Sequence, residues 1–269
     1  MNKIRICDLT EWSEKIPINV AHLLTIQDNK PMFSSFQPTK YDLKFNIFGF
    51  SVSVHPAFWI IMAIFGYSGR GLNLTYMFTF IFVAFISILI HELGHGFAFR
   101  HYGIHSRIVL HGFGGAAIPE SFGWRGGRLS SWQQIVISLA GPFSQLLLVA
   151  VVLGLVQVTG GVVRFNGIFP QAAVPFGGTL LNTFIIIFIL INIFWALFNL
   201  LPIYPMDGGQ AIREVFVTVD PVRGYVNSLR LSIATAVLGI IVALTLLGST
   251  YMAILFGLFA YQNYQMMGR

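Results

Sequence analysis

The chain has almost no cysteine and little charge. Cys7 is the single cysteine in 269 residues, which excludes an intramolecular disulfide and a cysteine-based metal site. Charged residues make up only 10% of the chain against 55% hydrophobic, and the mean hydropathy is +0.74. That balance excludes a soluble globular domain and points to a polytopic membrane protein. Acidic residues are the scarcer sign, 10 against 16 basic, for a net charge of +6. Such an excess can signal nucleic-acid binding. Here the basic residues lie between apolar spans rather than in one patch, as anionic leaflets favour, so the expected partner is the lipid bilayer and no nucleic acid. No long charged or low-complexity insert, obvious repeat or appended soluble domain is read. The first 45 residues show no apolar stretch with a small-residue cleavage site, so no signal peptide is expected and the first membrane helix serves as insertion signal.

Against this apolar background a few ionisable residues stand out. Residues 77 to 90 (MFTFIFVAFISILI) carry no charge, and His91-Glu92-Leu93-Gly94-His95 follows directly. Ionisable groups at bilayer depth are costly unless paired or bound to something. On a helix His91 and His95 stand one turn apart on one face, where both imidazoles reach a single cation. Glu92 lies about 100° round the helix, placed to act on a metal-bound water without being a ligand. The pattern reads as a zinc hydrolase site within a membrane. The competing explanation, a chance core histidine pair beside an acid, is penalised by the bilayer.

The coarse plan has three parts. Residues 1–42 form a polar N-terminal tail on the cytoplasmic side. A membrane-embedded core spans 43–210, and 211–269 hold a connector and the last two membrane helices. Residues 43–54 (LKFNIFGFSVSV) alternate with period two, as a strand or a hairpin turning near Gly49. His55-Pro56 opens a first apolar span to about Tyr67, short for a full crossing. Further spans are read at about 74–99, 132–158, 180–201, 228–247 and 250–266. Residues 106–118 read as strand, Gly-rich turn, strand. Their apolar character suggests that they dip into the membrane, where pairing with 43–54 would satisfy the backbone. Residues 159–179 read as a Gly- and Pro-rich loop. The fold class is therefore an all-α polytopic membrane protein, about six transmembrane helices with a small membrane-associated β element near 43–54 and 106–118.

Six crossings put 14 Lys and Arg on one side and 2, Arg70 and Arg164, on the other. The positive-inside rule makes the first side cytoplasmic. The second and fourth spans then end at the same leaflet. The His pair and Asp207, just past the fourth span, meet there. A catalytic zinc takes three protein ligands and keeps a position open for water; His91, His95 and Asp207 supply three. Asp207 also has a plainer reading as a turn or cap residue before Gly208-Gly209. Asn199, at a helix end, can simply satisfy backbone carbonyls. His55 is expected to be structural or interfacial and Arg100 to snorkel. His101, His105 and His111 are assigned no role.

These stretches together resemble the site-2 protease family of intramembrane zinc metalloproteases. The match is His-Glu-Leu-Gly-His at 91–95 and N-x-x-P-x-x-P-x-D-G-G at 199–209. Val54-His55-Pro56, Gly114-Gly115 and Ala140-Gly141-Pro142 support it. The resemblance covers roughly 43–210. It implies one zinc per chain held by His91, His95 and Asp207, with Glu92 as the catalytic base. It also implies a substrate that is a transmembrane or membrane-proximal segment of another protein. By analogy Asn199 sits beside the bound peptide, and Pro202 and Pro205 shape the loop presenting Asp207. Gln145 departs from the pattern, standing where an Asn commonly follows Ala-Gly-Pro. Two other classes compete with this reading. A membrane zinc transporter needs polar residues along a path through both leaflets, and few are seen in the outer halves of the spans. An inactive protease-like scaffold fits poorly with a full set of ligands and base.

Overall fold

The computed structural model describes residues 39–67, 73–112, 114–120, 129–167 and 169–268. All but the first 42 residues of the expected plan are therefore largely visible, while Cys7 and nearly all of the N-terminal tail lie outside the described residues. The elements in chain order are β1 (Leu43–Ile47), β2 (Phe50–Val54), α1 (Pro56–Gly66), α2 (Leu74–His101), β3 (Ser106–His111), β4 (Gly114–Pro119) and α3 (Ser131–Val158). They continue with β5 (Val162–Asn166), β6 (Phe169–Ala173), α4 (Gly178–Asn199), α5 (Asp207–Val219), α6 (Gly224–Thr245) and α7 (Thr250–Met267).

The two period-two segments form one sheet in the order β1-β2-β3-β4. β1 and β2 are an antiparallel hairpin. Its two-residue turn needs left-handed backbone at both positions, and Phe48 (φ 51°) and Gly49 (φ 83°) supply it. β2 pairs in parallel with β3, Val52 beside Ile108 and Val54 beside Leu110. The ladder runs on into α1, where the His55 N–H donates to Leu110 O at 2.8 Å. His55 also caps α1, its Nδ1 accepting from Ala57 N at 3.1 Å, with Pro56 in the first helical turn. β3 and β4 close an antiparallel hairpin. Arg100, expected to snorkel, instead ties the β1–β2 turn to α2: its Nη1 donates to Phe48 O at 2.7 Å, and its guanidinium stacks over Phe50 and Phe97.

Among the described residues four helices, α2, α3, α4 and α6, are long and apolar enough to cross a membrane, where six were expected. Two physical reasons account for the difference. The 11 residues of α1 rise only about 16 Å. Phe58 and Trp59, near the start of α1, pack on Phe85 of α2, and Gly66, at its end, abuts Met77 and Phe80. α1 thus flanks only the first half of α2, and the sheet takes over from about its middle, with Phe45 on Phe85 and Phe50 on Phe97. Strand and short helix together cover the depth one long helix would. α7 has only 18 residues, and Gln262, Asn263 and Gln265 dilute the apolar character of its last turns. A second correction concerns 159–179. This segment is not a plain loop but contains the hairpin β5–β6, whose last pair is Asn166 with Phe169; Gly167 (φ 63°) supplies the left-handed backbone that so tight a turn needs.

The sheet side chains Phe50, Val52, Val54, Ile108 and Leu110 share a core with Phe58 of α1 and Ile88, Leu89 and Leu93 of α2. The sheet therefore lies at the depth of the His91–His95 turn. α2 and α3 approach closely at Gly94, where an added Cβ would fall 2.6 Å from Ala140 O and 2.7 Å from Ser144 Oγ. Gly94→Ala is expected to wedge the two helices apart and cost about 1–3 kcal/mol, read as a lowered thermal midpoint in detergent. Gly154→Ala, whose Cβ meets nothing within 4 Å, is expected not to lower it.

Candidate metal centre

α2 buries one continuous face from Ser87 to Gly96 that includes His91, Glu92 and His95. His91 lies ten residues, about 15 Å, before the end of that helix. α5 begins at Asp207, which is 8% exposed. The carboxylate stands between the imidazoles: Oδ2 is 3.1 Å from His91 Nε2 and Oδ1 is 3.4 Å from His95 Nε2. The two Nε2 atoms are 3.1 Å apart. The structure thus brings together the three residues expected to hold a metal, with ligand atoms all within 4.8 Å of one another.

The local sequence explains why the carboxylate arrives there. Gly208 and Gly209 let the first turn of α5 lie flush on the preceding segment. A Cβ on Gly208 would overlap Leu200 O, and one on Gly209 would overlap the Ile203 carbonyl carbon and Tyr204 N. Gly141 on α3 clears the space in front of the imidazoles, since a Cβ there would overlap His95 Nε2. The small residues of Ala140-Gly141-Pro142 therefore make room for the site as well as for helix contact.

The far nitrogen of each imidazole is engaged. His91 Nδ1 lies 3.0 Å from Gln145 Oε1, and His95 Nδ1 lies 2.7 Å from the Ile137 carbonyl. Both partners are acceptors, so each Nδ1 carries a proton, and a neutral ring then presents its Nε2 lone pair to the centre. Gln145 is itself fixed, its Nε2 donating to Ser87 O at 3.2 Å, and it is fully buried. Asn192 of α4 extends the network, donating to Ser87 Oγ at 2.9 Å. Two nitrogen lone pairs and a carboxylate therefore face one another inside the protein, and no donor is aligned on Asp207 Oδ2. Protonating both imidazoles would set like charges 3.1 Å apart. One cation satisfies all three donors, and two imidazoles with one carboxylate are a zinc donor set that leaves a position open.

Glu92 occupies the next position round the helix. It is 4% exposed, accepts from the Ala117 N–H of β4 and lies within electrostatic reach of His91, His95 and Asp207. A Cβ on Gly115 would fall 2.5 Å from its Cγ and 2.6 Å from Oε1. Gly114-Gly115 thus lets β4 lie against the acid. Asn199 is partly buried, and its Nδ2 donates to Trp195 O at 3.0 Å. Pro202 and Pro205 are half-buried in the segment between α4 and α5, the Tyr204–Pro205 bond being cis.

Sequence reasoning did not anticipate the Gln145 contact, because a glutamine on an apolar helix carries no sign of its partner until α2 is laid against it. Asn192 was missed for the same reason.

The family model for peptidase family M50 matches residues 79–247. The chain belongs to peptidase family M50. The match runs through α6, beyond the limit at residue 210 expected from the motifs, and it begins within α2. A zinc metalloprotease of Methanocaldococcus jannaschii is 28% identical over 221 residues, 81% of this chain and 57% of that protein. A Synechocystis relative is 31% identical over 189 residues, 66% of this chain and 44% of that protein. This M50 chain therefore spans about half the length of these relatives. Among solved structures, the site-2 protease from Methanocaldococcus jannaschii matches with a TM-score of 0.52 at 23% identity, covering 84% of this chain and 95% of that one; the two share a fold.

Removing the Gln145 acceptor is expected to free the His91 ring and its tautomer. Gln145→Leu should weaken zinc affinity about 10- to 100-fold, measured by competition with a chromogenic chelator. An unchanged affinity would show that the contact does not orient His91.

Proposed function

We propose that this multi-pass membrane protein is an intramembrane zinc metalloendopeptidase. In this reading it hydrolyses peptide bonds within or beside transmembrane segments of other membrane proteins, as in regulated intramembrane proteolysis. The observation that carries the reading is the convergence of His91 and His95 of α2 and Asp207 of α5 on one buried point, with the Glu92 carboxylate beside them. When bound, zinc supplies a Lewis acid that polarises a carbonyl and acidifies a water, to a pKa of about 7.

The chain's own residues do the rest. His91, His95 and Asp207 would be the three ligands. Gln145 and the Ile137 carbonyl hold the imidazoles in the ligand tautomer. Glu92 is the general base: it takes a proton from the attacking water and passes it to the leaving amine. Its hydrogen bond from Ala117 N–H fixes the carboxylate between β4 and the ligands.

A helical substrate hides its carbonyls in its own hydrogen bonds and must unwind before attack. An unwound peptide needs replacement partners at bilayer depth. β2 and β3 are paired on both edges, whereas β4 pairs only with β3 among the described residues. The edge of β4 lies beside Glu92, so an extended peptide added there is presented to the base. Asn199, Pro202 and Pro205 are assigned to the substrate side of the same site, on the Asp207 segment.

The distribution of buried polar side chains disfavours a transporter. Ser87, His91, Glu92, His95, Ser138, Gln145, Asn192 and Asp207 all lie in one half of the bundle, and among the described residues no such trail continues along the first half of α2. The 14-to-2 distribution of Lys and Arg supports a cytoplasmic location for the N-terminus and for the site end of the helices.

The test is cleavage of co-expressed, tagged single-span proteins together with zinc content. The wild-type chain is expected to cleave. Glu92→Gln should keep zinc but lose activity by about 10²- to 10⁴-fold. Full proteolysis by zinc-loaded Glu92→Gln would sink this mechanism.

A further inference from the structure

The segment that delivers Asp207, residues 200–206, belongs to no helix or strand. Much of its bonding is local. Ile203 N donates to Leu201 O and Met206 N to Ile203 O, and Gln210 Nε2 reaches Pro205 O at 2.9 Å. These bonds fix the shape of the turn, but not where it stands relative to α2. A short segment can keep its internal turns and still swing as a unit, carrying the carboxylate away from the imidazoles.

Its attachment to the rest of the bundle is concentrated on Tyr204. The Tyr204 N–H donates to Ser232 Oγ of α6 at 3.1 Å. The Tyr204 carbonyl accepts from Asn263 Nδ2 of α7 at 2.7 Å. The guanidinium of Arg213 on α5 lies 5.2 Å from the centre of the Tyr204 ring. Both main-chain groups of one residue, three positions before Asp207, are thus held by side chains from two different helices. Ser232 is 2% exposed and Asn263 fully buried, so neither bond competes with water. The Asn263 amide makes one further bond, from Nδ2 to its own helix at Phe259 O, 2.8 Å, while its Oδ1 has no donor among the described residues. An amide with an unmet oxygen is a costly side chain for an apolar helix, and leucine there would avoid the cost. What the amide adds beyond its own helix is the hold on Tyr204.

We propose that Ser232 and Asn263 are positioning residues through which α6 and α7 grip the Tyr204 main chain and set the Asp207 carboxylate against His91 and His95. The proposal rests on the reading of Asp207 as the third ligand. It gives the last two helices, for which the motifs suggest no role, an indirect part in metal binding. Neither residue touches the metal or the substrate; both act through Asp207.

The test is zinc affinity of the full chain in detergent, by chelator competition, in a wild-type and an Asp207→Ala background. Asn263→Leu is expected to weaken zinc binding about tenfold, with Ser232→Ala giving a smaller loss. In the Asp207→Ala background, where the two imidazoles remain, adding either change is expected to cost nothing further. Ser232→Ala removes one hydroxyl from a helix and carries the test by itself if Asn263→Leu does not fold. Wild-type affinity in both variants overturns the proposal. So does an equal loss in both backgrounds, which would mark a general structural role. If the wild-type chain binds no zinc at all, the metal-centre reading fails and this proposal with it. If the wild type binds zinc and the variants match it, only the positioning role fails.

Discussion

An ionised carboxylate between two imidazoles, away from water and at bilayer depth, is tolerable only when every lone pair has something to face. Here the outward nitrogens are settled first. Gln145 and the Ile137 carbonyl each hold a ring from behind, which turns both inner nitrogens into acceptors. The pocket so made is electron-rich on all sides. It is a vessel for a cation, and its neighbours are arranged around that fact: Gly141 keeps its mouth clear, and Gly208 and Gly209 let the carboxylate come close enough.

The architecture answers a second demand of the bilayer, that no backbone group be left bare. Irregular chain enters at the depth of the site in two places, and each is paid for by pairing. The two hairpins join through β2 and β3, so the strand segments satisfy one another beside α2. The Asp207 segment is satisfied by side chains from α6 and α7. Membership of peptidase family M50 fits this division, in which apolar helices form the wall and the few polar side chains gather at one end.

Much of this was legible in the residues because the bilayer removes alternatives. In an apolar run, His91, Glu92 and His95 have few innocent explanations, and alternation at 43–54 and 106–118 has no helical one. The shared direction of the second and fourth spans predicts Asp207 at the same end of the bundle as the histidine pair, and there it lies 3.1 Å from His91. What was not legible has definite causes. Helix counting assumed that each apolar stretch crosses by itself, whereas α1 shares one depth with the sheet, and the polar turn of α7 exists to meet Tyr204. The hairpin at 162–173 was hidden by glycines and Pro170, which read as loop. Gln145, Ser232 and Asn263 are single polar letters in apolar helices. Their meaning depends on residues 54, 28 and 59 positions away, a range over which periodicity carries no information.

The parallel pairing of β2 with β3 bears on how the molecule comes into being. Antiparallel strands close through a tight turn as they are made, but parallel neighbours must wait for whatever lies between them. Between these two lie α1 and α2, both of which have to reach the bilayer first. The imidazoles arrive with α2, whereas the strand that steadies Glu92 joins through β3 only afterwards, and Asp207 is synthesised later still. A half-made chain therefore holds two of the three donors and no complete centre. The late completion of the donor set follows from the order of the elements along the chain.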